Sequence, residues 1–301
     1  MTIIEIEQPT STLTISVCIP TLNRNSLSDT ELSILNQKIQ PNQILFDESK
    51  PFNIAITNLF NKTTSDIIAV IDDDITIAPD YLSNIMKAFD DTNVGFVGGN
   101  CLPKINVGAS TKNINFQKIV LNVEQSDYAF GIMSNRYKTH LQDNNADETT
   151  LIGVGAFRKS LVQEYLKTHT LPKSAWENIL ITYIRKSGYK TIYDPNCNFY
   201  HAPRNNIISY IKQIGYYGKG RVQYFRRFKS QLIRKPYFTF PSLLVVSLLL
   251  APVWPFWLID LAYFISIMVL SGFNIPQAIL TMITHISYGL GFLYGLIRCI
   301  K

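Results

Sequence analysis

Acidic residues are missing from one long stretch of this chain: none stands between Asp194 and Asp260. The same interval carries Arg204, Lys212, Lys219, Arg221, Arg226, Arg227, Lys229, Arg234 and Lys235. From Tyr237 to Ile300 charge of either sign is nearly lacking, with Asp260 the only acid and Arg298 the only base. That excludes a solvated tail and reads as membrane-embedded helix. Basic charge beside an apolar span marks its cytoplasmic flank, and this adjacency argues against nucleic acid as the partner of the basic run. Cysteine is scarce too. Cys18, Cys101, Cys197 and Cys299 form no Cys-x-x-Cys pair, which removes a zinc site and a disulfide framework and fits reduced thiols in a cytosolic domain. Met1 to Thr10 holds Glu5 and Glu7 but no basic n-region, so no signal peptide is expected and the chain is predicted to start in the cytosol.

What is present has a strong internal division. Residues 1–203 hold 17 of the 28 bases and 21 of the 22 acids, a balance of −4 in a chain whose total is +6. Within that part lies Ile67-Ile68-Ala69-Val70-Ile71, followed at once by Asp72-Asp73-Asp74. A short apolar run of this kind suits a strand buried on both faces of a parallel sheet. Ligands of open α/β sheets collect at the carboxyl ends of strands. If the strand stays extended, Asp72 and Asp74 point to one side and Asp73 to the other. Mg²⁺ takes one or two protein carboxylates and completes its shell with substrate phosphates, so this Asp-x-Asp suggests a metal-bridged diphosphate. The alternative is a helix start capped by the aspartates. Asp80, after Pro79, is the better start, for a helix over Tyr81 to Phe89.

Taken in order, Leu13 to Pro20 is a strand of β-branched residues stopped by proline, and Thr21-Leu22-Asn23-Arg24-Asn25 is a polar loop at its end. A helix is expected over Ser28 to Gln37, a strand at Ile44 to Phe46 ending in Asp47-Glu48-Ser49, and a helix over Asn53 to Phe60. Strands alternating with helices predict an α/β domain with a mostly parallel, Rossmann-like sheet. Val94 to Asn100 reads as a further strand whose Gly98-Gly99 either lets a ligand approach the backbone or simply turns. Pro103 to Glu148 is polar and shows no regular pattern.

The succession strand–Pro-Thr-Leu-Asn-Arg, strand–Asp-x-Ser, Asn-Ile-Ala-Ile and strand–Asp-Asp-Asp resembles the nucleotide-diphospho-sugar domain of family-2 inverting glycosyltransferases, which have the GT-A fold. The resemblance implies that Thr21, Asn23, Arg24, Asp47 and Asp73 bind the donor. It also implies that Asp72 and Asp74 bracket Mg²⁺ or Mn²⁺ on the diphosphate. One departure is local: only Lys50, Pro51 and Phe52 separate Asp-x-Ser from the next helix, where the family usually has another helix and strand.

Further matches extend the resemblance over residues 13–221. Gly153 to Arg158 is similar to the family's Gly-x-x-x-x-Arg segment beside donor sugar and acceptor. Trp176-Glu177, counted back from Gly188, resembles the family's acidic pair, which makes Glu177 the catalytic base and leaves Trp176 in place of the first acid. A first-turn carboxylate favoured by the helix dipole is the plain alternative for Glu177. Arg204, Gln213 and Tyr217-Gly218-Lys219-Gly220-Arg221 resemble a signature of membrane-anchored enzymes that build exopolysaccharide, where this region closes over diphosphate and acceptor.

Ile207 to Phe228 spaces its apolar residues as a helix with bases between them, an amphipathic element for the membrane surface. The tail divides into Phe238 to Leu250, Phe256 to Leu270 and Pro276 to Ile297. It forms three spans if Pro252 and Pro255 mark a turn and two if they kink one helix. Arg298 and Lys301 favour a cytoplasmic end, hence an even number of crossings or a re-entrant segment. Thr284 to Gly291 also resembles the tail of the exopolysaccharide enzymes, and His285 within a span is a functional candidate. The resulting layout is a catalytic domain over 1–204, a basic interface helix over 205–236 and an anchor of two to three transmembrane helices over 237–301. The expected activity is transfer of a sugar from a nucleotide-diphospho-sugar to a lipid-linked or glycan acceptor. Transfer to polyprenyl phosphate and an inactive membrane-tethered sugar-nucleotide sensor are the alternatives.

Overall fold

The computed structural model describes residues 13–24, 28–105, 110–253 and 255–300, without the side chains at 28, 236, 299 and 300. Expectations resting on residues 1–10, Asn25, Trp254, Lys301 and the side chain of Cys299 lie outside the described residues. In chain order the first elements are β1 (Ile15–Pro20), α1 (Ser28–Leu35), β2 (Gln43–Asp47), α2 (Phe52–Lys62), β3 (Ile67–Val70), β4 (Ile75–Ile77) and α3 (Tyr81–Ala88). Next come β5 (Val94–Pro103), α4 (Thr111–Glu124), α5 (Asp127–Phe130), β6 (Gly155–Arg158), α6 (Lys159–Thr168), α7 (Trp176–Lys186) and β7 (Lys190–His201). The remainder is helical: α8 (Ile207–Arg227), α9 (Lys229–Arg234), α10 (Phe240–Leu250), α11 (Phe256–Leu270) and α12 (Ile275–Ile300). A 3₁₀ segment, Gly131–Tyr137, follows α5. The chain packs as two units. The first comprises Met1–Asn100, His140–Leu171 and Leu180–Tyr200, and the second Cys101–Thr139, Pro172–Ile179 and His201–Lys301.

The first unit is built on a seven-stranded sheet in the order β2-β1-β3-β6-β5-β7-β4. β1 pairs in parallel with both β2 and β3, as the alternation of strands and helices predicts. β6 then enters antiparallel to β3 on one side and to β5 on the other, so the sheet is mixed rather than simply parallel. Every residue of β1 and β3 is buried, which is the reason their sequences show apolar runs instead of alternation. Ile56, Leu59 and Phe60 of α2 and Leu161 and Val162 of α6 supply apolar cover. β2 ends at Asp47 and α2 begins at Phe52, so the shortened connection read from the sequence is present.

Gly98 and Gly99 serve packing. A Cβ on Gly99 would fall 1.8 Å from the carbonyl oxygen of Cys197 on β7, and one on Gly98 would meet Leu151 at 2.8 Å and the Phe96 ring at 3.0 Å. The first unit therefore needs both glycines for its own close contacts.

In the second unit, α4 lies where the sequence showed no regular pattern. Ser110 caps it through a hydrogen bond from the Asn113 amide, and Val120 and Val123 are buried with Tyr210 and Ile214 of α8 and Leu280 of α12. α4 ends on Glu124, whose carboxyl is pushed up from 4.5 to about 7 by burial, against the opposing charges of His201 and Arg204. The tail forms three separate helices, with Ala251–Pro255 as a break carrying the turn bonds Val253 N–H to Leu250 O and Phe256 N–H to Val253 O. α12 is long and apolar enough to cross a membrane, over Ile275–Arg298.

Gly99→Ala is expected to cost about 3 kcal/mol or more, because backbone rather than a flexible side chain meets the new methyl; an unchanged denaturation midpoint would refute the close β5–β7 approach. Glu124 gives a pH signature. Below its ordinary 4.5 both states hold the proton. As pH rises to about 7 the unfolded chain ionises first, so stability falls by something on the order of 3 kcal/mol and then levels off. Glu124→Gln should flatten this decline, so that the variant's melting temperature gains on the wild type between pH 5 and pH 8; parallel curves would contradict the assignment.

Candidate active site

β3 ends at Val70, and the three aspartates that follow do not continue it. The Ile75 amide donates to the Asp72 carbonyl at 3.2 Å, closing a turn over Asp72 to Ile75 that leads into β4. The expected side-to-side alternation of Asp72 and Asp74 therefore does not apply, since it holds only for extended chain. The helix-start alternative fails as well, because β4 follows; the helix begins after Asp80, as α3. Asp72 and Asp73 are half-buried and Asp74 is exposed. The Thr21 hydroxyl, just past β1, donates to Asp73 Oδ2 at 2.8 Å, and the Thr30 hydroxyl of α1 donates to the Asp73 carbonyl at 3.1 Å. These bonds fix the carboxylate turn to the loop after β1. No three His, Cys, Asp or Glu side chains converge into a ligand set among the described residues. A hard cation that takes one or two carboxylates and fills its shell with phosphate oxygens and water needs no such cluster.

The neighbouring loop residues lie along the ends of β1 and β2. Asn23 is exposed, and its amide donates to the Thr21 hydroxyl at 3.1 Å. The Arg24 amide donates to Glu48 Oε1 at 3.0 Å while its guanidinium lies 4.5 Å from the centre of the Phe46 ring. Asp47 is buried at the tip of β2. Burial raises its pKa, but hydrogen bonds from Ser49, Lys62 and Asn58 outweigh that and hold it near about 2. Its Oδ2 lies 3.0 Å from Lys62 Nζ and its Oδ1 accepts the Ser49 amide at 2.9 Å, so the carboxylate shapes the β2–α2 turn.

Gly153 sits in the bend that enters β6. Arg158, which the resemblance set beside sugar and acceptor, is instead turned onto backbone: its Nε donates to Val94 O at 2.8 Å, and Nη2 lies 3.2 Å from Asp91 O and 3.3 Å from Phe89 O. It clamps the segment between α3 and β5. A motif match could not show this, because the acceptors are carbonyls far away in sequence.

In the second unit, α7 opens with Trp176, Glu177 and Asn178. Ala175 precedes it with φ of 56°, left-handed backbone that a non-glycine residue adopts at a cost of about 1–3 kcal/mol. Trp176 is buried, Glu177 half-buried and Asn178 buried. Asn178 Oδ1 accepts a hydrogen bond from Arg136 Nη2. Arg136 is half-buried; desolvation lowers its pKa, and the nearby Glu177 carboxylate works against that shift. Sequence reasoning missed Arg136, a lone base in a 3₁₀ segment with no periodicity to mark it.

α8 carries the remaining candidates. Tyr217 and Gln213 are one turn apart, and Gln213 Nε2 donates to the Tyr217 hydroxyl at 3.0 Å. Gln213 Oε1 is buried with no hydrogen-bond partner among the described residues. Arg221 is 5% exposed, with its guanidinium 3.8 Å from the centre of the Phe238 ring and 5.2 Å from that of Tyr224. Its Nη1 has no partner among the described residues. A buried donor of this kind is costly unless something accepts from it. Arg204 is half-buried just before α8, after Pro203, whose carbonyl accepts from Gln117 Nε2 at 2.9 Å. Thus Thr21 and Asp73 are tied together, as are Arg136 and Asn178 beside Glu177, whereas Asp47 and Arg158 are engaged with their own surroundings.

Residues 44–165 match the family described as Glycosyl transferase family 2. No curated protein sequence matches the chain. Among solved structures, mannosyltransferase PcManGT from Pyrobaculum calidifontis, in complex with GDP-Man and Mn²⁺, aligns with a TM-score of 0.58 and 17% identity over 95% of this chain and 88% of that one. At that identity the likeness is one of fold. S. aureus TarS 1-349 aligns at 0.45 and 11% identity over 94% of this chain and 92% of that one. A longer S. aureus TarS chain aligns at 0.38 and 11% over 67% of this chain, which spans only 38% of its length. Both TarS alignments are too distant to add to the fold assignment. The matched segment, the sheet order and the likeness of fold agree: residues 44–165 are similar to glycosyltransferase family 2, within an α/β domain of GT-A type.

Proposed function

We propose that the protein is an inverting glycosyltransferase that moves a sugar from a nucleotide-diphospho-sugar to a membrane-associated acceptor, either a lipid-linked sugar or a growing glycan. Residues 1–204 form the catalytic segment on the cytoplasmic side, 205–236 the basic interface and 237–301 the membrane attachment. The observation that carries this reading is the carboxylate turn Asp72 to Asp74, held to the β1 loop by Thr21 at the strand end where ligands of open α/β sheets collect.

Asp72 and Asp74 would hold Mg²⁺ or Mn²⁺, which when bound neutralises charge on the departing nucleoside diphosphate. PcManGT, of like fold, was solved with Mn²⁺, which supports a divalent ion here. Thr21, Asn23, Arg24 and Asp47 frame the nucleoside. Glu177 takes the proton of the acceptor hydroxyl as its oxygen attacks the anomeric carbon. The bond from that carbon to the diphosphate oxygen breaks on the opposite face, and the configuration inverts. Arg136 steadies the first turn of α7 through Asn178 and places positive charge beside Glu177. Gln213 Oε1 and Arg221 Nη1, both lacking internal partners among the described residues, are free to bind substrate hydroxyls or phosphate oxygens. Trp176 in place of a carboxylate favours one competing reading, a sensor that binds sugar nucleotide without turnover.

Two variants test this. Asp74→Asn should abolish the Mn²⁺-dependent thermal stabilisation by nucleoside diphosphates while leaving the melting temperature without ligand unchanged, since the residue is exposed; persistence of that stabilisation removes the metal assignment. Glu177→Gln should lower sugar transfer by about 10²–10⁴-fold with donor affinity kept, the usual contribution of a general base. Absence of any nucleoside diphosphate release by the wild type across a panel of sugar nucleotides and membrane lipid extracts would leave the sensor reading standing instead.

A further inference from the structure

α12, the helix long enough to cross a bilayer, has 26 residues, which at ~1.5 Å each cover ~39 Å against ~30 Å of hydrocarbon. α10 and α11, with 11 and 15 residues, reach only ~16 Å and ~22 Å. By length alone α12 is the crossing helix. Its packing says otherwise. A Cβ on Gly291 would lie 2.0 Å from the carbonyl oxygen of Gly215 on α8, and one on Gly218 would lie 2.1 Å from that of Tyr288. Further along, a Cβ on Gly295 would meet Val222 at 3.1 Å; at the other end, the hydroxyls of Tyr210 and Thr284 are 2.7 Å apart. The partners advance together, so α8 and α12 run in parallel, backbone against backbone, for about 18 Å of α8 between Tyr210 and Val222.

α8 is a poor candidate to cross with it. Lys212, Lys219, Arg221, Arg226 and Arg227 lie within it, and its sequence contains no acid. Each such base at a bilayer centre costs about 2.5–3.5 kcal/mol on insertion scales. The amino-terminal half of α12 is also held in protein. Gln277 Nε2 donates to the Tyr128 hydroxyl at 2.6 Å, His285 Nε2 lies 2.9 Å from the Ala129 carbonyl oxygen, and Thr281 is fully buried. α10 and α11 differ: they are apolar almost all round and expose Leu243, Leu249, Leu258, Phe264, Val269 and Leu270. The approach to them is the cationic run Arg226 to Lys235, which no acid interrupts.

We propose that this protein is bound to one leaflet only: α8 and α12 lie together in the plane of an anionic membrane surface, and the α10–α11 pair dips into that leaflet with the Ala251–Pro255 break at its tip. This rests on the reading of 237–301 as the membrane attachment and replaces transmembrane crossing by re-entry. Charge selects the occupant, because the bases beside the apolar pair match an anionic headgroup layer, each worth about 1 kcal/mol near the surface.

The experiment uses the full chain in sealed inverted and right-side-out membrane vesicles. Single cysteines replace Asn274, in the turn before α12, and Lys301, after it, with Asn42→Cys as the marker of the catalytic segment's side; all are read with an impermeant maleimide. Asn42 and Asn274 are exposed, so replacing them leaves the packed helices untouched. Labelling of all three from the same face, lost in vesicles of the opposite orientation, is the expected result. Labelling of positions 274 and 301 from opposite faces overturns the inference while keeping the membrane reading. Flotation with vesicles of phosphatidylcholine and phosphatidylserine separates the two: if the purified chain stays behind as a dimer with its apolar face covered by a second copy, the membrane reading itself fails. Flotation lost in Leu249→Glu with Leu258→Glu, with α8 variants still floating, is expected if the short pair is what enters the lipid. Equal flotation of that double variant and the wild type contradicts it.

Discussion

Five consecutive residues, Ile67 to Ile71, are shut off from water, and the first unit is arranged around that requirement. A strand buried on both faces needs a paired neighbour on each edge and helical cover above and below. β1 and β6 supply the edges, and α2 and α6 contribute cover. Such a strand can meet solvent only at its end, and there the sequence changes abruptly from isoleucine to aspartate. The chemistry proposed for the protein is located by this exit: three carboxylates are delivered to one place because the residues before them cannot be anywhere else.

The second unit solves a different problem, the burial of polar groups in mostly apolar surroundings. Arg221 lies inside it and Arg136 is half-buried. Arg136 is met by Asn178 and the charge of Glu177, whereas Arg221 rests on aromatic faces, which attract a guanidinium but leave its Nη1 without an acceptor. Buried donors left open in this way are tolerated where a ligand completes them, and this distinguishes Arg221 from Arg158, whose Nε and Nη2 are turned to carbonyls.

Much of this was legible in the sequence. β1, β2, β3, β5 and α3 follow from apolar runs and turn residues, the shortened β2–α2 connection was visible by counting, and the tail was legible as helical while the choice between two helices and three was left to the structure. The losses have physical causes. α4 escaped because asparagine, lysine and glutamine interrupt its apolar face, and only the partners Tyr210 and Leu280 make a core of it. β6 lies antiparallel because pairing direction is a long-range property that a local pattern does not carry. Asp72 to Asp74 form a turn because the backbone bond from Ile75 to Asp72 closes it, and the extended geometry assumed for them was wrong. Gly98-Gly99 looked permissive toward a ligand, yet Cys197 on β7 fills that space. Glu177 was singled out only by the resemblance, counting back from Gly188, whereas Arg136, whose charge interacts with it, had no sequence signal at all.

The glycine contacts between α8 and α12 have a mechanical meaning. Two helices whose backbones touch at successive turns cannot slide or pivot independently, since any relative shift drives a carbonyl into an α-carbon. They are one lever. Whatever tilts α12 tilts by the same angle the helix that carries Gln213, Tyr217 and Arg221.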